Sequence, residues 1–214
     1  ASPCRGRVLM GQINMQKSQT VLASIWVFTN DKLQTGWVGF RSFLYCIQEP
    51  PIYKNRVTGL NFKNTFLYYD HSCDRPRAAI FMSNDLHMWP VPEFTSGDIA
   101  TCLWKTGNEE LPEVLIASVY MDINSTITWT DELDRLVRLS QVRKKELLIC
   151  ADTNAHSGLW GCANNNKRGD DIEEAKGKVI AEEDDVVNED ILKALKKAKI
   201  EQVPVMPFVI DEIE

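Results

Sequence analysis

The sequence predicts a layered α/β sandwich, and three observations support this fold class. Short apolar segments bounded by turn residues recur along the first 168 residues, as in sheet proteins. Two segments with helical apolar spacing interrupt them, so the order is strand, helix, several strands, helix, strand. A hydrophobic fraction of 44% over 214 residues is sufficient for the core of one domain.

Seven apolar segments are predicted as strands. The first is RVLMGQINM, and the KSQTVLASIWVF that follows it has the spacing of a helix. The second strand, RSFLYCIQEPP, ends at Glu49 because a proline pair follows. The remaining strands are NTFLYYD, RAAIFMS, DIATCLWKT, VLIASVYMD and KKELLICAD.

A second helix is predicted in TWTDELDRLVRLSQV, before the last strand. Leu133, Leu136 and Val137 share one face of it, and Thr130 and Asp131 are its two candidate N-caps.

The chain changes character near its end. Residues 169–214 hold 14 acidic residues and 6 lysines, whereas the first 168 residues are close to neutral. We therefore predict one domain over residues 1–175 and an acidic, helix-rich tail over 176–214. The overall charge of −6 would argue against a nucleic-acid partner, but this objection applies only to the tail, because the first 168 residues carry no acidic excess.

Cysteine and apolar patterns bear on the compartment. The 6 cysteines form no C-x-x-C pair, and several lie inside apolar runs, which is typical of buried thiols in a reducing compartment. The 3 histidines are too scattered for a zinc site. No segment approaches the ~20 apolar residues of a membrane span. We expect an intracellular protein that is not embedded in a membrane.

Carboxylate and amide side chains follow three of the predicted strands. Asn14 ends the first strand, Glu49 ends the second, and Asp152 and Asn154 end the last. Asp152 and Asn154 project from one face of an extended chain. Such oxygen donors suit Mg²⁺ or Mn²⁺ and phosphodiester cleavage. Each motif also has a plainer explanation as a strand end, a turn or a helix cap.

The motifs QINMQKS, CIQEPP, YKNRVTGL, DRPRAAI, ASVYMD and ICADTNAHSGLWGCANNNKRGDDIEE resemble one known family. It is the endonuclease domain of non-LTR (LINE-type) retrotransposons, in the branch of insect elements that insert at ribosomal DNA or telomeric repeats. These domains belong to the endonuclease/exonuclease/phosphatase superfamily, with the apurinic endonucleases. The resemblance covers Arg7 to Glu174. It implies an α/β/β/α sandwich of four layers with two mostly antiparallel sheets.

The resemblance also implies roles for five residues. Glu49 would be the principal metal ligand, and Asn14 would help to bind the metal or the scissile phosphate. Asp152 would orient the attacking water and is also a candidate metal ligand. Asn154 would hold the phosphate and position the catalytic histidine. Tyr120 would stabilise the developing phosphorane.

Three further residues have less definite roles. His156 and Trp160 belong to the signature loop, and His156 would be either a structural or a catalytic histidine. Arg168 would lie in a loop or at a helix start, and phosphate contact is the alternative. The sequence also departs from the family pattern. After the Arg-Gly pair, the family continues through further strands to an S-D-H motif whose histidine is the general acid/base. No S-D-H is present here, and the C-terminal strands are atypical or missing. Asp211 is a candidate for the second aspartate.

The function implied is a Mg²⁺- or Mn²⁺-dependent endonuclease that nicks one strand of double-stranded DNA. The 3′-hydroxyl would prime reverse transcription by a downstream reverse-transcriptase domain, so the protein would act in the nucleus. Candidate DNA contacts are Lys54, Arg56, Arg75 and Arg77, for each of which a solvated surface charge is the alternative. Two alternative functions are an inactive remnant that binds nucleic acid or protein, and a phosphodiesterase acting on lipid or nucleotide headgroups.

Overall fold

The computed structural model describes residues 7–18, 40–109, 112–125, 127 and 129–175. The predicted helix in KSQTVLASIWVF lies almost entirely outside these residues. The acidic tail and Asp211 also lie outside them, so the predictions made for these segments stay predictions.

The first sheet has four strands in the order β1-β2-β6-β5. Their bounds are β1 Arg7–Asn14, β2 Phe40–Gln48, β5 Thr65–Tyr68 and β6 Ala78–Ser83. Strands β1 and β2 are parallel, whereas β6 runs antiparallel to both β2 and β5. All six residues of β6 are buried, as expected for a central strand between two covered faces.

The second sheet also has four strands, in the order β10-β9-β8-β7. Their bounds are β7 Met88–Pro90, β8 Ile99–Lys105, β9 Glu113–Tyr120 and β10 Glu146–Asp152. Strands β9 and β10 are parallel, and the other two pairs are antiparallel. The sheets therefore share one design, in which a parallel pair is extended by antiparallel strands.

A short hairpin completes the strands, formed by β3 Ile52–Tyr53 and β4 Arg56–Val57. Lys54 and Asn55 form its turn with φ of 48° and 60°, the left-handed conformations of a tight hairpin turn.

The two sheets share a buried core. Leu44, Ile80 and Met82 of the first sheet belong to the same hydrophobic cluster as Cys102 and Ile116 of the second. This cluster joins segments far apart in sequence, and hydrophobic burial of this kind is the main stabilising contribution.

Helix α1, Asp131–Arg143, covers the other face of the second sheet. Thr130 caps it by accepting a hydrogen bond from the N–H of Leu133 at 3.3 Å. Leu133 and Leu136 are buried against this sheet, because they lie on the single apolar face of the helix. Of the two candidate N-caps, Thr130 is therefore the one used.

The predicted α/β class is confirmed, and all seven predicted strands are present. Both sheets are mostly antiparallel, as predicted. The hairpin strands β3 and β4 and the short β7 were not predicted, because two or three residues carry no periodicity. A helix layer over the first sheet would fall on undescribed residues, so the arrangement in four layers stays a prediction.

The chain forms two compact units, Ala1–Asn154 and Ala155–Glu214. Helix α2, Lys167–Ala175, belongs to the second unit. The predicted domain boundary after residue 175 stays a prediction. Within the part of the chain that is described, no helix is long and apolar enough to cross a membrane.

Candidate active site

Two parallel strand pairs bring the predicted site residues to the carboxyl ends of their strands. Asn14 lies opposite Gln48 in the β1–β2 pair, and Tyr120 lies opposite Asp152 in the β9–β10 pair. Glu49 follows Gln48 directly. Since parallel neighbours run in the same direction, the ends of each pair meet at one edge of its sheet.

A hydrogen bond between Asn14 and Asp152 joins the two edges. The side-chain amide of Asn14 donates to Oδ2 of Asp152. The N–H of Gln16 donates to Oδ1 of Asn14 at 2.8 Å, and the N–H of Asn154 donates to Oδ1 of Asp152 at 3.2 Å. Both side chains are therefore held in one orientation at the meeting point of the sheets.

Two glutamines connect β1 and β2 of the first sheet to β10 of the second. Gln12 donates to the carbonyl of Ala151 at 2.9 Å, and Gln48 donates to the carbonyl of Cys150 at 3.0 Å. Gln48 also donates to the hydroxyl of Ser118 at 3.0 Å. Neither glutamine was singled out in the sequence. The spacing of Gln12, two residues before Asn14, is the signal that could have placed it on the same face of β1.

Tyr120 interacts with both Asn154 and Glu49. The Tyr120 hydroxyl is hydrogen-bonded to the Asn154 side chain. Asn154 also donates to the carbonyl of Met121 at 2.8 Å, which fixes its amide. Partial burial, and then the negative charge of Glu49, raise the pKa of Tyr120. The hydroxyl therefore remains a proton donor at neutral pH.

Glu49 has a backbone conformation that is rare for its residue type. Its φ of 47° lies in the left-handed region, where a side chain costs about 1–2 kcal/mol. The surrounding backbone holds it there: Glu49 N–H donates to the Arg77 carbonyl at 2.8 Å, and the Glu49 carbonyl accepts from Lys17 N–H at 2.9 Å. Strain of this kind is concentrated at functional sites.

Arg77, Asp98 and Asp122 form a charged cluster beside these residues. The Arg77 guanidinium donates twice to Asp98 and once to Asp122, each at 2.6 Å. The hydrogen bond from Arg77 lowers the pKa of Asp122, and the bond to Asp98 raises the pKa of Arg77 above its usual value. Arg77 and Asp122 therefore keep their charges at neutral pH. Asp122 ends the motif ASVYMD, but the sequence analysis assigned no role to either aspartate.

A cleft of about 840 Å³ opens beside Glu49. Its walls contain four basic residues, Lys17, Lys54, Arg75 and Arg77, and two acidic ones, Glu49 and Asp98. Three of the predicted DNA contacts thus line it, although Arg77 is already paired with carboxylates. An open cleft with exposed cations suits an anionic substrate.

The donor atoms here fit a hydrated magnesium ion better than zinc. Within the described ranges, no three histidine, cysteine or acidic side chains lie close enough to form a metal site of such groups alone. The donors predicted from the sequence are instead the oxygens of Glu49, Asn14 and Asp152. Mg²⁺ is commonly bound by one or two carboxylates while it keeps several waters. The Glu49 side chain is 20% exposed, and its ion pair with Lys17 is long, at 3.7 Å.

The second unit contains the signature loop, which folds on itself. His156 N–H donates to the Asn166 side chain at 3.0 Å, and Asn166 N–H donates to the His156 carbonyl at 2.9 Å. Gly158 N–H donates to Asn165 at 2.9 Å. The side chains of Asn165 and Asn166 therefore stabilise the loop by accepting hydrogen bonds from its backbone. Arg168 is buried near the start of α2.

Comparison with known proteins bears on this arrangement. Residues 114–178 match the family described as endonuclease-reverse transcriptase. The matched residues make up less than a third of the chain and include Tyr120, Asp152 and Asn154.

The fold is similar to a solved structure described as the endonuclease domain of TRAS1, a telomere-specific non-LTR retrotransposon. The TM-score is 0.55 at 22% sequence identity, over 79% of this chain and 68% of that chain. No curated protein matches the chain in sequence. The predicted resemblance to retrotransposon endonuclease domains is thereby confirmed.

The candidate site draws its residues from both sheets. Asn14 and Glu49 come from the first sheet, whereas Tyr120 and Asp152 come from the second, and Asn154 follows it. The structure brings all five predicted residues to one edge. Their individual roles stay predictions.

Proposed function

We propose that the chain is a divalent-metal-dependent endonuclease domain that nicks one strand of double-stranded DNA and leaves a 3′-hydroxyl. One observation carries this proposal: four strand ends from two sheets bring Asn14, Glu49, Tyr120, Asp152 and Asn154 to one edge beside an open cleft with basic residues. Phosphodiester cleavage needs oxygen donors for a metal, a group that orients water and donors for the phosphate.

Glu49 would be the principal metal ligand, with Asn14 and Asp152 contributing oxygens. When bound, Mg²⁺ or Mn²⁺ would offset the negative charge of the phosphate and its leaving oxygen. The strained backbone of Glu49 supports this role, since it holds the carboxylate at the mouth of the cleft. Lys17, 68% exposed, would move away as the ion binds.

Asp152 would accept a hydrogen bond from the attacking water and orient it toward phosphorus. Asn14 supports this role by holding one oxygen of Asp152 in place. Tyr120 and Asn154 would donate hydrogen bonds to the non-bridging oxygens as charge accumulates on them. The raised pKa of Tyr120 favours the protonated hydroxyl that such a donor needs.

A second candidate function follows from the departure of residues 176–214 from the family pattern. A general acid/base group typically contributes about 10²–10⁴-fold, so turnover without the family histidine should be slow. An inactive remnant that binds nucleic acid would retain the cleft but would not cleave the phosphodiester bond.

The β3–β4 hairpin is a proposed contact for double-stranded DNA. Tyr53 is 64% exposed, and the Lys54 amino group lies 5.3 Å from the centre of its ring. Asn55 donates to Asp74 at 2.9 Å, and Thr58 N–H donates to the Pro51 carbonyl at 2.9 Å, so the hairpin is braced. An exposed, braced tip with a cation and an aromatic ring can contact the backbone at little entropic cost.

In the full-length protein we propose that a reverse-transcriptase domain uses the nicked end and that both act in the nucleus. The family description, which joins an endonuclease to a reverse transcriptase, supports this arrangement.

Nicking of supercoiled plasmid tests the proposed activity. The wild type is compared with Glu49→Gln and Asp152→Asn, in Mg²⁺, in Mn²⁺ and with a chelator, and Asp134→Asn on α1 is the control. We expect the wild type and Asp134→Asn to nick with metal, and the two site variants to lose at least about 100-fold. Equal nicking by all four would exclude this site. A folded but inert wild type that still binds plasmid would favour the remnant.

DNA affinity measured against salt concentration tests the hairpin. Lys54→Ala should weaken binding and reduce the salt slope by about 1, since one phosphate contact is lost. The matched control is Lys105→Ala, because Lys105 also lies over an aromatic ring, Trp89 at 4.9 Å. An unchanged slope in Lys54→Ala would exclude the hairpin contact.

A further inference from the structure

Arg77 connects the backbone of the proposed metal ligand to the neighbouring sheet. It directly precedes β6, and its carbonyl accepts the hydrogen bond from Glu49 N–H. Its own N–H donates to the Gly97 carbonyl at 2.5 Å. Gly97 directly precedes Asp98, so one residue links Glu49 to the start of β8.

The Arg77 side chain is held by two carboxylates. Nε and one terminal nitrogen donate to Asp98, and the other terminal nitrogen donates to Asp122. Such a bidentate pair fixes the plane of the guanidinium as well as its position. Asp98 is itself anchored, because its carbonyl accepts from Tyr120 N–H at 2.8 Å.

The fixed guanidinium lies over the ring of Tyr120. Its central carbon is 4.7 Å from the ring centroid, within the range of a cation–π contact. The hydroxyl at the far end of this ring bonds to Asn154. The ring is therefore held on its face by Arg77 and at its hydroxyl by Asn154.

The charge of Arg77 is an argument against a direct phosphate contact. Two carboxylates pair with this one guanidinium, so the cluster carries a net negative charge. Three of the five N–H donors are used on these carboxylates. A phosphate would meet repulsion from Asp98 and Asp122 rather than a free cation.

We propose that Arg77, fixed by Asp98 and Asp122, is a positioning residue that holds the Tyr120 ring and the Glu49 backbone in their reactive arrangement. This inference rests on the proposed nuclease function. It replaces the sequence-based interpretation of Arg77 as a DNA contact. It also gives Asp98 and Asp122 a role, which is to hold the Arg77 guanidinium in place.

Steady-state nicking kinetics distinguish a positioning role of Arg77 from a direct phosphate contact. If Arg77 is a positioning residue, Arg77→Ala should lower kcat by about 10- to 100-fold with little change in KM, because the bound substrate meets misplaced groups. Arg77→Lys should recover little, since an ammonium cannot make the bidentate pair. A raised KM with an unchanged kcat would overturn the proposal in favour of a phosphate contact. The matched control is Arg138→Ala, which removes an Arg–Asp pair of 2.7 Å on α1.

A double-mutant cycle tests whether Arg77 acts through Tyr120. In the Tyr120→Phe background the hydroxyl is gone, so Arg77→Ala should cost much less than in the wild type. Full additivity of the two substitutions would overturn this part of the proposal. A loss of stability alone would not make the two substitutions non-additive in nicking. Denaturant unfolding measures the stability of each variant separately.

Tyrosine ring signals in NMR give a readout that does not need activity. The chain has 5 tyrosines, and Arg77→Ala and Asp122→Asn should shift the Tyr120 signal while leaving the other four unchanged. If the wild type does not nick plasmid, the proposed function fails. A shifted Tyr120 signal in Arg77→Ala would still support the contact between Arg77 and Tyr120. An unshifted Tyr120 signal in folded Arg77→Ala would overturn the inference even in an active enzyme.

Discussion

Asn14 donates a hydrogen bond from its side chain to the carboxylate of Asp152, across the boundary between the two sheets. The two residues are 138 positions apart, and each ends the outer strand of a parallel pair. This bond orients one oxygen of the residue that we propose to orient the attacking water. It is the most direct link between the fold and the proposed chemistry.

Replacing Asn14 should therefore affect activity far more than stability. Asn14→Ala should reduce nicking by at least about 100-fold, since removing one preorganised donor costs that much in enzymes. The unfolding free energy should fall by only about 1 kcal/mol, because one hydrogen bond is lost. Gln12→Ala is the matched control, because it removes another amide bond between the same strands. Similar nicking by the two variants would contradict the role of Asn14.

The left-handed backbone of Glu49 predicts an unusual order of stabilities. Glu49→Ala and Glu49→Gly both remove the carboxylate, and both should abolish metal-dependent nicking. They differ in backbone strain, because glycine adopts a φ of 47° freely and alanine does not. Glu49→Gly should therefore be more stable than Glu49→Ala by about 1 kcal/mol, measured by denaturant unfolding. A more stable alanine variant would show that the strain is released in solution.

Gly169 should be indispensable to the signature loop. A Cβ at this position would collide with the His156 carbonyl oxygen and lie 2.7 Å from its carbon, and both are backbone atoms. Gly169→Ala should destabilise the loop by about 2 kcal/mol, seen as faster hydrogen exchange at its backbone amides. The control is Gly158→Ala, whose Cβ would meet only Asn165 Oδ1 at 3.8 Å. Equal exchange in the two variants would argue against this packing.

Burial of Cys102 predicts a loss of stability at alkaline pH. Burial raises the pKa of Cys102 from 9.0 to about 12. Below pH 9 the thiol is protonated in both the folded and the unfolded chain, so its contribution to stability is complete. Above pH 9 only the unfolded chain releases the proton, and stability falls by about 1.4 kcal/mol per pH unit until the folded pKa is reached.

The measurement is the unfolding free energy at pH 8 and pH 10.5. The wild type should lose about 2 kcal/mol more than Cys102→Ala over this interval. Cys73→Ala, which removes a partly exposed thiol, is the control and should follow the wild type. A Cys102→Ala variant with the same pH dependence as the wild type would contradict the prediction.

Local patterns determined the strands and the chemistry of the candidate site. Apolar segments ended by polar or proline residues predicted seven strands, because a buried strand needs an unbroken apolar face. The same segments placed Asn14, Glu49 and Asp152 at strand ends. The string around Asn154 and His156 carried the resemblance to retrotransposon endonuclease domains without any structure.

Tertiary structure decided which of these ends meet. Nothing in a local pattern states that the ends of β1 and β10 meet, because these strands belong to different sheets and the packing of the sheets depends on contacts between distant segments. The bonds from Asn14 to Asp152 and from Arg77 to Asp98 and Asp122 follow from that packing. In the sequence, Arg77, Asp98 and Asp122 are far apart and show no sign of acting together. Only their hydrogen-bond distances of 2.6 Å show that they form one cluster.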